Sequence, residues 1–241
     1  MKLGHALAAT LFLLALWQSV VSLTGLPSFI LPGPARVWST WWESRALIGE
    51  HALVTLTEVA LGLLIGGGLG IFTALSLAMS PAARVLIRPL LVFSQALPVF
   101  ALAPILTLWL GYGLGSKVAM AVLIIFFPIT SAFFDGLMRV PKGYLDLAQT
   151  MGASRVAVLW RIQVPNALPS LGSGLKLAAV YAPIGAVIGE WVGSSQGLGY
   201  LMLLANGRAK TDLMFAAMLT LGVMSVLLYV LADRAARHLA R

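Results

Sequence analysis

The stretch GYLDLAQTMGASRVAVLWRIQVP, residues 143–165, is a polar interruption in a strongly apolar chain, and the setting of that interruption decides the fold. Within it Tyr144, Leu147, Ala148 and Met151 fall at i, i+3, i+4 and i+7, while Asp146, Gln149 and Thr150 take the opposite side. That spacing predicts a short amphipathic helix, because residues three and four apart share one helical face. Gly143 precedes it. Gly152 follows, where a helix ending in a left-handed residue favours glycine for want of a Cβ that would clash. Ser154 is placed to cap a second short helix through Trp160 and Arg161. Pro165 is expected to end that helix, since it lacks an N–H and restricts the residue before it. Two short helices set at an angle make a knob.

Composition supplies the setting. The chain has 241 residues, 60% of them hydrophobic and only 10% charged, with mean hydropathy +0.95. Such a chain has too much apolar surface for a soluble domain and reads as an all-α, polytopic membrane protein. A helix needs about 20 apolar residues to cross the hydrocarbon core. Six stretches meet that need, at roughly 5–24, 53–79, 90–110, 118–137, 172–189 and 213–231. Residues 1–50 read as a first span with an external loop, and 51–241 as one membrane domain whose polar loop lies at about 139–170. The chain has no cysteine, which excludes disulfides and thiolate metal sites. His5, His51 and His238 sit near span ends, and no His/Asp/Glu cluster has ligand or catalytic spacing.

The net charge of +8 could suggest nucleic acid, but its distribution reports topology. With the N-terminus inside, Lys2, Arg84, Arg88, Arg139, Lys142, Arg155, Arg161, Lys176, Arg234, Arg237 and Arg241 fall on the cytoplasmic side, and both termini lie there. Arg36, Arg45, Lys117, Arg208 and Lys210 fall outside. That asymmetry follows the positive-inside rule and puts the 143–165 knob in the cytoplasm. No basic patch is interleaved with aromatics in the manner of a nucleic-acid surface. The first span follows Lys2 as a secretory signal would, yet its apolar run continues through Val20, Val21 and Leu23 with no small-x-small site, so a retained helix is expected.

Several polar or helix-breaking residues fall inside or between the spans. Residues 25–50 carry Pro27, Pro32, Gly33, Pro34 and the cluster Trp38, Trp41 and Trp42, which suits an interfacial anchor or a stacking site. Gly62, Gly66, Gly67, Gly68 and Gly70 suit close helix packing in lipid. The run lacks the Gly-Lys-Ser/Thr ending of a nucleotide loop, so it is not a phosphate-binding site. Glu58 lies in the same span, where a carboxyl group needs a partner or a wet cavity; a structural and a transport role both remain open. Span three holds Ser94, Gln95, Pro98 and Pro104, and span five holds Tyr181, Pro183 and Gly185 leading to Glu190. Prolines free backbone carbonyls where a polar cavity or a neighbouring helix satisfies them, so these breaks mark either a pathway or the bundle's shape. Gln95, Tyr181 and Glu190 are the candidate pathway residues, with a boundary-marking carboxylate as the other reading of Glu190.

The motif Asp146-Leu147-Ala148, Gly152 and Ile162-Gln163-Val164-Pro165 resembles the cytoplasmic coupling loop of permease subunits of ATP-binding-cassette (ABC) importers. The resemblance spans about residues 50–235, and Gly189-Glu190-Trp191 through Gly197-Leu198-Gly199 is its second strong mark. Asp146 stands where the pattern has Glu, Leu147 where it has Ala, and Val164 where it has Leu; charge and apolar character are kept. Leu31-Pro32-Gly33-Pro34 before Val37 is similar to the first external loop of the nitrate, sulfonate and taurine branch. The run 197–208 with 211–217 is similar to permeases for thiamine-pyrimidine precursors such as hydroxymethylpyrimidine; sulfonate, taurine, nitrate and riboflavin are the other solutes this branch implies.

The resemblance implies a multi-pass protein of the bacterial cytoplasmic (inner) membrane, surrounded by lipid and working without a cofactor of its own. Its expected partners are a second permease copy, ABC ATPase subunits that bind ATP and Mg, and an extracytoplasmic solute-binding protein that delivers a small-molecule substrate. Tyr144, Asp146, Leu147, Ala148, Gly152, Ile162 and Pro165 are the residues it assigns to ATPase coupling. An ion-coupled secondary transporter or an intramembrane enzyme is the competing class, although the two halves show no clear repeat of the kind many secondary transporters carry.

Overall fold

The computed structural model describes residues 3–239, so Lys2 and Arg241, both assigned above to the cytoplasmic side, lie outside the described residues. All regular structure among the described residues is helical. In order these are α1 (Leu3–Thr24), α2 (Pro34–Glu43), α3 (Arg45–Met79), α4 (Pro81–Ala96), α5 (Val99–Leu110), α6 (Leu114–Met138), α7 (Lys142–Thr150), α8 (Arg155–Val158), a π-helical turn (Leu159–Gln163), α9 (Val164–Gly193), α10 (Leu198–Gly207) and α11 (Thr211–Leu239).

The centre of the bundle is α6 packed against α3 on one side and α9 on the other, and small residues set both spacings. A Cβ on Gly62 would come within 2.6 Å of the Ala121 methyl, one on Gly66 within 2.7 Å of Ile125, and one on Gly70 within 3.0 Å of Ile129. These glycines recur every four residues on one face of α3, which lets α6 approach closely and gain dispersion contacts that lipid would otherwise supply. Gly68, off that face, meets nothing. The α9 seam works alike: Gly174 lies on Ile129 and the Pro128 carbonyl, Gly185 on the Ala121 backbone, and Gly189 on Lys117. Ile125, Ile129, Phe133, Leu137, Ala178 and Ala182 fill the core between them.

One of the six expected spans is not a single helix. Among the described residues, four helices are long and apolar enough to cross a membrane: α3, α6, the continuous run Arg155–Gly193, and α11. The expected third span is a broken pair, α4 and α5, bent by 102°. Leu97 is extended there (φ −77°, ψ 127°) because the following Pro98 crowds it out of helical geometry. α1, Leu3–Thr24, is one continuous helix over the expected first span.

Pro165 does not end the second loop helix. It occupies the second position of α9, and the preceding π-helical turn shifts the hydrogen-bond register so that the chain stays helical through it. Pro183 does not interrupt α9 either. Its ring is buried inside a helix running to Gly193, so the break expected in span five is absent. Pro104 likewise lies inside an intact α5.

Candidate functional site: a cytoplasmic knob and a buried carboxyl cluster

The first helix of the knob and its cap are built as the sequence suggests, the helix starting slightly earlier, at Lys142 and including Gly143, while the second arm runs on into α9. Its C-terminus closes on Gly152, which has φ +76°. The Gly152 N–H donates to the Gln149 carbonyl and the Ala153 N–H to the Ala148 carbonyl, each at 2.9 Å, the paired pattern that satisfies otherwise orphaned carbonyls. Ser154 caps α8, its hydroxyl accepting from the Ala157 N–H at 3.2 Å. Ala148 and Leu159 are buried and anchor the knob to the bundle, and the Gln163 amide donates to the Leu137 carbonyl of α6 at 3.3 Å. Ile162 is half-buried; Asp146, Gly152 and Pro165 are exposed.

The apolar face of α7 is left bare: Tyr144 is 63%, Leu147 59% and Met151 78% exposed. Val156 and Trp160, which sequence reasoning did not single out, add to this uncovered apolar surface. An amphipathic helix normally turns its apolar face to the core. Here only Ala148 reaches inward, so the face is available to something outside the chain.

The second feature gathers at the junction of α3, α9 and α10. Glu190 is 1% exposed and turned onto the start of α10: its Oε2 accepts from the Gly199 N–H and its Oε1 from the Thr55 hydroxyl, both at 2.5 Å. The Thr55 oxygen in turn accepts from the Leu198 N–H at 2.8 Å, and His51 Nδ1 accepts from the Gly197 N–H at 3.0 Å. Three side chains thus satisfy three successive backbone donors where α10 begins, and the carboxyl group complements the positive end of the helix. Gly197, at φ +106°, and Gly199 are required, since a Cβ at either would run into the Glu190 carboxyl group. Glu58 is equally buried and hydrogen-bonded to Glu190, while its Oε2 has no partner among the described residues. The buried Lys117 places its Nζ on the carbonyls of Tyr112 and Gly113.

The candidate pathway residues are not gathered in one place. Gln95 is exposed near the end of α4, beside the break, and Tyr181 is 39% exposed on α9, whereas Glu190 is enclosed. Thr55, its hydrogen-bond partner, and His51, which accepts from the neighbouring Gly197 N–H, were missed. A signal was present: His51, Thr55 and Glu58 fall at i, i+4 and i+7, a polar stripe on one face of an apolar span.

Residues 66–241 match the sequence profile of the family described as "Binding-protein-dependent transport system inner membrane component". A "Probable ABC transporter permease protein" of Haemophilus influenzae is 49% identical over 92% of this chain and 90% of its own length. The formylaminopyrimidine transport permease protein ThiX of Halalkalibacterium halodurans is 38% identical, covering 92% of this chain and 90% of the relative. The riboflavin transport system permease protein RibX of Chloroflexus aurantiacus is also 38% identical, over 96% and 87%. Among solved structures, a chain of the inward-facing MetNI methionine ABC transporter superposes with TM-score 0.62 over 86% of this chain and 98% of its own, at 19% identity, a likeness of fold.

Proposed function

This chain belongs to the family of inner-membrane components of binding-protein-dependent transport systems, and from that premise we propose that it carries a flat nitrogen heterocycle, a thiamine-pyrimidine precursor, through a pathway driven from the 142–165 knob. The chain is a permease subunit of an ABC importer, a non-catalytic membrane component whose ATPase is a separate subunit. The observation that carries the coupling role is the bare apolar face of Tyr144, Leu147 and Met151, held rigid by the Gly152 cap and by Leu159. A partner's groove that covers it would bury apolar surface worth roughly 25 cal/mol per Å². In this reading Tyr144, Asp146, Leu147, Ala148, Gly152, Ile162 and Pro165 shape or form the contact with the ATPase, and the ATPase binds ATP and Mg.

Two copies of the chain pair around the pathway, and an external binding protein delivers the solute. Gln95 beside the α4–α5 break and Tyr181 on α9 are exposed on the single protomer and so can meet solute between copies. Glu190 acts from behind them, as a positioning residue that holds α10 on α3 and α9. The pyrimidine reading is supported by the formylaminopyrimidine relative, and riboflavin is kept as a second reading because its permease is equally similar. Both solutes are planar, hydrogen-bonding rings, which suits tyrosine stacking and an amide side chain better than it suits a sulfonate.

The test is ATP-dependent uptake by the reconstituted permease, ATPase and binding protein, across hydroxymethylpyrimidine, formylaminopyrimidine, riboflavin, taurine, an alkanesulfonate and nitrate. Uptake of a pyrimidine is expected. Uptake of sulfonate or nitrate alone overturns the substrate assignment, and uptake by the permease without an ATPase overturns the coupling role.

A further inference from the structure

The junction of α3, α9 and α10 encloses two carboxyl groups beside one ammonium. Glu58 and Glu190 are each 1% exposed. An ionised carboxylate has two oxygens with about four lone-pair sites and no donor. On Glu190 these sites are well filled: Oε1 accepts from the Thr55 hydroxyl, Oε2 from the Gly199 N–H, and the Tyr200 N–H adds a third donor. Glu58 is the fourth group in hydrogen-bond contact with it. Its own Oε2, by contrast, meets no donor among the described residues. Lys117, buried beside the pair, places its Nζ on the Tyr112 and Gly113 carbonyls. His51 Nδ1 accepts from the Gly197 N–H and so carries no proton, and the Tyr200 ring lies against His51 with centroids 5.9 Å apart.

We propose that Glu58 is a positioning residue that holds a proton and donates it to Glu190, fastening α3 to the carboxylate on which α10 begins. The inference rests on the reading of Glu190 as the residue that holds α10, and is independent of which solute is carried. Two ionised carboxylates both accept and neither donates, so a hydrogen bond between them requires a proton. That proton belongs on Glu58. Glu190 is surrounded by donors that stabilise its charge, whereas an ionised Glu58 would leave a buried oxygen with no donor, which is costly inside a membrane. One proton also balances the junction: Glu190 is the anion, Lys117 the cation, and Glu58 and His51 are neutral. The bond itself is of a strong kind, since its acceptor is ionised. A carboxylic acid thus does here what an apolar residue of equal size does not. Its hydroxyl fills the site on Glu190 that Thr55, Gly199 and Tyr200 leave open.

The experiment uses the assembled permease and ATPase complex in nanodiscs, without solute. Infrared difference spectroscopy between wild type and Glu58→Gln at neutral pH reads the proton, and amide hydrogen exchange over residues 197–204 reads the hold on α10. A protonated-carboxyl C=O band is expected in wild type and absent from Glu58→Gln. The glutamine amide still donates to Glu190, so exchange in that variant is expected to stay within about twofold of wild type. Glu58→Leu keeps the volume and removes the donor, and exchange is expected to quicken about tenfold, as loss of one hydrogen bond to a charged group implies. A wild type without the band, or a band that persists in Glu58→Gln, overturns the proposal. Glu190→Ala separates the two readings. Faster exchange there with none in Glu58→Leu overturns the role of Glu58 alone, whereas unchanged exchange in both variants overturns the hold of Glu190 on α10 as well. If Glu58→Leu does not assemble, the infrared comparison decides alone.

Discussion

Replacing Gly152 isolates the backbone of the knob from its contacts. At φ +76° the residue occupies left-handed space, and a Cβ built there meets nothing within 4 Å. A substitution therefore introduces no clash, and its whole cost is conformational. An ordinary L-residue pays about 1–2 kcal/mol in this region, and a β-branched one at least the upper figure. At about 2 kcal/mol, the population of knobs with the native turn falls by roughly 30-fold relative to the unwound form. Unwinding releases the 2.9 Å bonds from Gly152 to Gln149 and from Ala153 to Ala148, and with them the angle between α7 and α8. The residue is exposed and outside the bundle core, so the membrane helices keep their stability. Gly152→Val is thus expected to abolish binding-protein-stimulated ATP hydrolysis in nanodiscs while leaving the thermal midpoint unchanged. Gly152→Asn, which tolerates left-handed geometry, is expected to keep most of the stimulation. Full stimulation in the valine variant, or equal loss in the asparagine variant, would refute the assignment of coupling to this turn.

Other substitutions separate the remaining roles. Leu147→Asp puts charge on an exposed apolar face and is expected to lower ATPase copurification more than tenfold with the permease still folded; Ala148→Asp, at a buried position, is expected to unfold the knob, seen as protease cleavage between 139 and 165. Gly66→Leu forces a side chain into Ile125 and is expected to cost about 1–3 kcal/mol, read as a lower melting temperature in detergent, whereas Gly68→Leu faces open space and is expected to be silent. Glu190→Ala orphans the Gly199 N–H and is expected to cost about 1–3 kcal/mol and to reduce uptake. Gln95→Leu is expected to reduce uptake with stability and ATPase docking intact, and solute is expected to protect Gln95→Cys from labelling; unchanged uptake and no protection would remove Gln95 from the pathway.

Much of the molecule was legible from local pattern. Hydropathy alone identifies a polytopic helical protein, because the cost of burying unpaired backbone in lipid leaves the helix as the way for such stretches to cross. The four-residue spacing of Gly62, Gly66 and Gly70 and the Gly152 cap were equally readable, since each depends on geometry within one or two turns of chain. Proline was the least reliable sign. Pro98 breaks its span, while Pro165 and Pro183 sit in intact helix. A missing N–H costs one hydrogen bond anywhere, and whether the chain bends, slips into a π turn or absorbs the loss is settled by neighbouring packing. What only the tertiary structure decided is who meets whom across the bundle. Glu190 read as a residue at the edge of a pathway until α3 and α10 closed over it, bringing Thr55, Glu58 and Gly199 from distant parts of the sequence onto one carboxyl group. Periodicity places a side chain on a face; the partner of that face is chosen by the collective packing of every helix, and no window of sequence contains it.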